Sequence, residues 1–250
     1  MHRFYLPPGN CAGGTLRLEG REAHHALTVL RLRAGETVTV LDGTGHEYLC
    51  ETDQLSRQVV TLIVRSKSFV PPPPCQITLI QALPKGKIID SIIQKAVELG
   101  ASRVIPILSE RVVSQLDDGG AEGKREKWQQ VAVEAIKQCG AAWLPKVDAP
   151  LPLDQFLARR EPFDLVLAGS LQAERRHPRT CLDEYRAAHG GPPKNVGVWV
   201  GPEGDFTTAE LAAILVAGAQ PVTLGRLVLR VETAAIFFLS ILNYELNIGA

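Results

Sequence analysis

The sequence predicts an α/β fold in which a mostly parallel sheet is flanked by helices, preceded by a smaller β-rich region. Three observations carry this. Strand-like and helix-like stretches alternate from Gln76 onward, the pattern of a parallel sheet with crossover helices. Two strand candidates, "FDLVLAG" and "VGVWVG", are apolar almost throughout, as required when both faces of a sheet are covered. Before the run "FVPPPPCQ" the pattern differs: short β-rich pieces are broken by Gly-containing turns.

Four consecutive prolines favour polyproline II and join neither a helix nor a sheet interior. The run reads as a domain boundary; a stiff surface loop within one domain is the alternative. The expected organisation is a β-barrel or sandwich over residues 1–70, a hinge over 71–75 and an α/β domain over 76–250. A chain of 250 residues suffices for two modest domains or one large one.

In chain order, "ETVTVLDG", "HEYLCETDQL" and "QVVTLIVRSK" read as strands, because β-branched and aromatic residues sit between turn signals. "EAHHALTVLRL" is a helix-like interruption. After the hinge, "QITLIQAL" is a strand. "KIIDSIIQKAVELG" is an amphipathic helix with Ile88, Ile89, Ile92, Ile93, Ala96, Val97 and Leu99 on one face, ended by Gly100. "SRVIPIL" is a strand, and "KREKWQQVAVEAIKQCG" a helix closed by Gly140. The two apolar strands named above follow, then the short "PVTLG" and the strongly apolar helix "VETAAIFFLSILNYEL". Between them, Thr207 and Glu210 have the spacing of a capping box, which predicts a helix starting near Thr208.

Composition narrows the function classes. Lys plus Arg and Asp plus Glu each number 27, so net charge neither supports nor excludes a nucleic-acid partner. Five widely spaced cysteines without a Cys-x-x-Cys argue against a disulfide framework or zinc knuckle and fit reduced thiols. The start "MHRFYLPPGN" has no apolar run of signal length and nothing later reaches membrane-span length, so a cytoplasmic protein is expected. His24 and His25 lack acidic or Cys partners at ligand spacing, and no metal site is expected.

Ligands in open α/β sheets sit outside the carboxyl ends of strands. Three Gly-containing turns fall there: "LAGS" with Gly169, "VGPEG" with Val200, Gly201, Glu203 and Gly204, and "LGR" with Leu224 and Gly225. Gly201 and Gly204 can take backbone angles closed to other residues and leave room for a ligand against the main chain. No Gly-x-Gly-x-x-Gly follows a strand and no Walker sequence is present, which argues against the common phosphate cradles; nor is there a Gly-x-Ser-x-Gly elbow. In "LGRLVLRVETAA", Arg230 and Glu232 flank Val231 beside a very apolar helix. Charges there should be paired with each other or bound to something.

"GPEGDFTTAEL" followed by "LGRLVLRVETAA" resembles the signature of RsmE-type enzymes, small-subunit ribosomal RNA uracil-N3 methyltransferases of the SPOUT (α/β-knot) superfamily. The resemblance covers nearly the whole chain: "RFYLP" and "HHALTVLRLRAGE" resemble the family's PUA-type RNA-binding barrel, and "KGKIIDSIIQKAVELGASRVIPILSERVV" the start of its catalytic domain. It implies a C-terminal trefoil knot, a homodimer, and bent S-adenosylmethionine held at the three Gly turns, with Leu229, Val231, Thr233 and Ala234 adding to the pocket. Arg230 is the expected cation for the developing uracil anion. Glu232 orients Arg230 or takes the proton, the former being favoured, and Glu203 is the other candidate base. Arg3, Arg31 and Arg33 are the expected RNA contacts of the barrel; Arg175, Arg176 and Arg179 in "QAERRHPRT" are those of the catalytic domain. The partner would be small-subunit ribosomal RNA or the assembled subunit. Rival readings are a SPOUT enzyme of different target, such as ribose 2′-O, and a non-catalytic RNA-binding assembly protein. The chain departs from the family's pattern twice: Ala141, Ala142 and Trp143 stand where arginines are common, and Asp205 where a glycine is usual.

Overall fold

The computed structural model describes residues 1–111, 120–171 and 174–248. Val112 and Val113 of the quoted catalytic-domain stretch, and Gln172 and Ala173 of the "QAERRHPRT" loop, lie outside the described residues. The chain forms two compact units, one of Met1–Pro72 with Val133–Leu144, the other of Pro73–Ala132 with Pro145–Ala250.

In the first unit, strands β1 (His2–Tyr5), β2 (Thr15–Glu19), β3 (Thr37–Leu41), β4 (His46–Leu55) and β5 (Val59–Phe69) make one sheet in the order β1-β3-β4-β5-β2. Only β1–β3 is parallel. Register shifts between Leu49 and Cys50 and between Thr52 and Gln54 add local twist to the long β4–β5 pair. Period-2 alternation turns Leu16 and Leu18 of β2 inward with Phe4, Val38, Val40, Val60 and Leu62. The helix-like "EAHHALTVLRL" becomes α1 (Gly20–His24), continued by a π-turn over His25–Val29, and Ala23 and Ala26 join the same core.

The residues 133–144 complete this unit. Lys137, buried, extends Nζ to Glu22 Oε1 at 2.7 Å. Arg3 donates to the Gln138 carbonyl at 3.1 Å and packs where a β-carbon on Gly140 would fall. The Gly45 amide donates to the Ala142 carbonyl at 3.0 Å and the Leu144 amide to the Gly43 carbonyl at 2.9 Å. Trp143 Nε1 donates to the Val70 carbonyl at 2.9 Å. The turn can do this because Gly43 and Gly45 have φ of +74° and +94° and because β-carbons there would strike Leu144 and Trp143.

The second unit holds β6 (Gln76–Ala82), α2 (Ile88–Glu98), β7 (Arg103–Leu108), α3 (Gly120–Cys139, whose last turns belong to the first unit), β8 (Lys146–Val147) and β9 (Leu151–Pro152). It continues with α4 (Leu153–Ala158), β10 (Leu165–Gly169), α5 (Pro178–His189), β11 (Asn195–Val200), α6 (Thr208–Val216), β12 (Gln220–Val222) and α7 (Val231–Asn243). The sheet runs β12-β10-β11-β6-β7-β8, with β9 also on β7, and every pairing is parallel. Its central strands are buried on both faces: Val196 through Val200 are all inaccessible or nearly so. That accounts for their unbroken apolar sequence. Five cysteines are free; burial pushes the Cys50 and Cys75 thiols up to about 12, while Cys139 is exposed.

Candidate active site

Parallel pairing with near-level register brings the carboxyl ends of β12, β10, β11, β6 and β7 to one edge. Gly169 lies opposite Val222, Ala168 opposite Trp199, Val200 opposite Gln81 and Gln81 opposite Pro106. The three Gly turns are therefore neighbours in space although 56 residues separate Gly169 from Gly225. A cavity of about 470 Å³ opens between them, within the range of small-molecule sites.

Its wall includes Gly169, Val200, Gly201, Glu203, Leu224, Gly225, Leu229, Val231 and Ala234, together with Arg230 and Glu232. Of the residues expected at the cofactor, Gly204 and Thr233 do not line it. Ile88, Ser170, Leu171, Pro202, Leu227 and Val228 also line it without being expected from sequence; Asp205, singled out there as a departure, lines it too, as does Arg175, expected only at RNA. Leu227 and Val228 lie within "LGRLVLRVETAA" itself; nothing but the closure of the turn signals that they face a cavity.

The turns are tied to the sheet and to each other. Gln81, fully buried, donates through Nε2 to the carbonyls of Ala82 at 2.8 Å and Val200 at 3.3 Å. Ser170 N donates to the Val222 carbonyl, and Thr223 Oγ1 accepts from Gly225 N at 3.2 Å. Arg111, in the loop after β7, donates to the Gly204 carbonyl. Glu203 is exposed, and its Oε1 accepts from the Lys85 amide at 2.9 Å.

Glycine serves this site differently from the sequence expectation. Neither Gly201 nor Gly204 takes a left-handed φ; that conformation falls on Asp205, at φ +58°, and on Gly225, at +124°. Gly201 is needed for space. A β-carbon there would come within 3.0 Å of Asp205 Oδ1 and 3.3 Å of the Phe206 ring and amide. Asp205 suits its place: aspartate tolerates the left-handed region better than most residues, and its carboxylate accepts from Phe206 N at 2.8 Å and Leu171 N at 3.3 Å.

Arg230 is the N-cap residue of α7 and is exposed; Glu232 lies in the first turn and is half-buried. Among the described residues neither side chain has a hydrogen-bond or ion-pair partner, so the expected Arg230–Glu232 pair does not form. The other arginines divide. Arg175 lines the cavity and reaches the Ser170 carbonyl at 3.4 Å. Arg176 is paired with Glu184, and Arg179 with Glu245 at 2.6 Å. Arg3 is spent on carbonyls at the end of α3, whereas Arg31 and Arg33 are exposed and their guanidinium groups have no partner among the described residues. No group of three or more His, Cys, Asp or Glu among the described residues is placed to hold a metal.

Comparison with known proteins fits this geometry. The family described as RNA methyltransferase domain matches residues 71–243, and the RNA methyltransferase PUA domain matches residues 18–57. The chain is 30% identical to the ribosomal RNA small subunit methyltransferase E of Bacillus subtilis, over 92% of this chain and 90% of that one. It is 32% identical to the Synechocystis protein of the same name, over 97% and 77%. Among solved structures, the Neisseria gonorrhoeae ribosomal RNA small subunit methyltransferase E bound to S-adenosyl methionine superposes with a TM-score of 0.85 at 29% identity, covering both chains fully. A Legionella pneumophila methyltransferase in complex with the same cofactor gives 0.86 at 30%, covering 97% of each. With its family domain spanning most of the chain and its relatives matched nearly end to end, the chain belongs to the ribosomal RNA small subunit methyltransferase E family.

Proposed function

We propose that this protein transfers the methyl group of S-adenosylmethionine to N3 of a uridine in small-subunit ribosomal RNA, acting as a homodimer in the cytoplasm. The observation that carries the reading is the cavity itself: three Gly turns converge on it at the carboxyl edge of the sheet, and Arg230 and Glu232 both stand on its wall. Main-chain groups of the turns and the side chains of Leu224, Leu227, Val228 and Leu229 suit an adenosyl group with an amino-acid tail. No phosphate cradle is needed for such a ligand.

When bound, the cofactor supplies an electrophilic methyl carbon on a sulfonium. The chain's residues have two tasks: to place N3 in line with that carbon, which is chiefly positioning, and to manage charge. As the N–C bond forms and the C–S bond breaks, the N3 proton must leave, and negative charge gathers on the neighbouring carbonyls of the base. Arg230, without a partner among the described residues and at the positive end of α7, presents a planar fork of donors to that charge. The lack of an Arg230–Glu232 pair favours Glu232 as proton acceptor over the orienting role expected from sequence. Glu203 is less suited, because its carboxylate already accepts the Lys85 amide. Arg175 is the RNA contact best placed at the cavity; Arg176 and Arg179 are neutralised by their carboxylates.

The test is a map of modified nucleotides in small-subunit RNA. A methyl on N3 blocks the pairing edge, so reverse transcriptase should stop strongly at one uridine in cells with this gene and not in cells without it. Arg230→Ala should lower the rate on the order of 10²–10³-fold with the fold intact, and Glu232→Gln should be comparably severe. Full activity in Arg230→Ala would overturn the mechanism, and mass spectrometry that places the methyl on a ribose oxygen would overturn the target.

A further inference from the structure

We propose that Asp205 sets the pocket's preference for the charged methyl donor over the neutral product left after transfer. The inference rests on the reading of the cavity as the S-adenosylmethionine site.

Asp205 occupies a singular place. Its left-handed backbone turns the carboxylate inward over Gly201, where a β-carbon would meet Oδ1 at 3.0 Å. One oxygen accepts from Phe206 N and the other from Leu171 N. The carboxylate thus joins the turn after β11 to the turn after β10, two walls of one cavity, and it lines that cavity itself. The main chain around it is fixed as well: Asp205 N donates to the Pro202 carbonyl at 2.9 Å, and Arg111 Nη1 donates to the Gly204 carbonyl and reaches the Asp205 carbonyl at 3.5 Å. The other charged residues of the wall are Glu203, Glu232, Arg175 and Arg230. Of the two other carboxylates, Glu203 accepts from the Lys85 amide alone and Glu232 has no hydrogen-bond partner among the described residues, so Asp205 carries the most firmly placed of the three negative charges.

Donor and product differ by one methyl and one charge. The sulfonium carries a permanent unit positive charge, whereas the thioether left behind carries none. Contacts to the adenosine and the amino-acid tail bind both ligands alike and cannot separate them. A fixed carboxylate can. Within about 10 Å and at an effective dielectric near 20, one unit charge acting on another alters affinity on the order of tenfold. A glycine at this position would lack that term. The carboxylate is then a specificity device: the product leaves more readily and competes less with fresh donor.

Titration calorimetry on the full-length protein tests this, with S-adenosylmethionine and S-adenosylhomocysteine each titrated into wild type, Asp205→Asn and Asp205→Gly. Asparagine accepts the left-handed backbone and keeps one acceptor oxygen, so Asp205→Asn removes the charge and one of the two amide bonds with little change of shape. It should weaken the donor by about fivefold or more and leave the product within about twofold. Asp205→Gly suits the same backbone and should show the same fall in the donor-to-product ratio. In addition, the Leu171 amide should exchange its hydrogen faster in Asp205→Gly. A ratio equal to wild type in both variants, with wild type binding both ligands, overturns the proposal alone. A wild-type protein that binds neither ligand overturns the reading of the pocket and the proposal with it.

Discussion

Asp42 is almost sealed from solvent, yet its carboxylate accepts from Thr44 N at 2.8 Å, His46 N at 3.2 Å and His46 Nδ1 at 2.9 Å. Burial alone raises such a carboxyl; the hydrogen bonds from Thr44 and His46 outweigh it and hold Asp42 below its ordinary value. The unfolded chain therefore takes up this proton at higher pH than the folded one does. The stabilisation is complete above the ordinary carboxylate range and drains away as pH falls through the lowered value. Asp42→Asn should destabilise the first unit by about 1–3 kcal/mol at pH 7 and flatten its acid dependence. Hydrogen exchange of the β3–β5 peptides between pH 3 and 7 checks it, and an acid profile unchanged from wild type would refute it. At this scale the sequence is only partly legible. "DGTGHE" announces a turn, but not that Asp42 would be buried beneath it. "GPEGD" announces a ligand turn, while the strained position within it belongs to Asp205 rather than to Gly201 or Gly204.

Among the elements, α6 was the most readable. Thr207 Oγ1 accepts from Glu210 N at 3.2 Å, and Glu210 Oε2 accepts from Thr207 N at 2.9 Å, the reciprocal bonds of a capping box. Glu210 does more than the spacing reveals: its Oε1 accepts from the Glu110 amide at 2.7 Å. It thereby fastens the loop after β7, whose next residue, Arg111, holds the Gly204 carbonyl. Thr207→Ala should cost about 1 kcal/mol, the usual loss for a cap. Glu210→Ala should cost more and should also weaken cofactor binding, because two loops at the cavity edge come loose. Equal costs in urea unfolding, with unaltered cofactor affinity, would reduce Glu210 to a cap. By contrast α5 went unread although its signals are present: His177 caps it, Pro178 opens it and Gly190 closes it at φ +74°. In the sequence the arginine cluster at its start reads as an RNA-binding loop. Only the fold reveals Glu184 and Glu245 beside Arg176 and Arg179, since Glu245 is 66 residues from Arg179.

For the whole molecule, alternation of strands and helices announced a parallel sheet, but no periodicity specifies the order β12-β10-β11-β6-β7-β8 or which turns become neighbours. The outer face of α7 was equally hidden, because a helix that is apolar all round reads as buried. Phe237 is 44% exposed, and Tyr244 and Ile248, in the π-turn that continues α7 over Tyr244–Ile248, are each 67% exposed. Leu227 and Val228, 79% and 75% exposed, lie on the cavity wall. Exposed apolar side chains grouped in this way are a mark of an interface, and they are where the homodimer proposed above would seat its second copy. Covering Leu227 and Val228 would also close the cavity, which couples association to cofactor binding. Light scattering should therefore give twice the 27.2 kDa chain mass for wild type and the single mass for Phe237→Glu. The monomer should bind S-adenosylmethionine about tenfold more weakly, since exposed lining loses roughly 25 cal/mol for each Å² left uncovered. A wild type that is monomeric at tens of micromolar, or a Phe237→Glu monomer with undiminished affinity, would show that the cavity is complete within one chain.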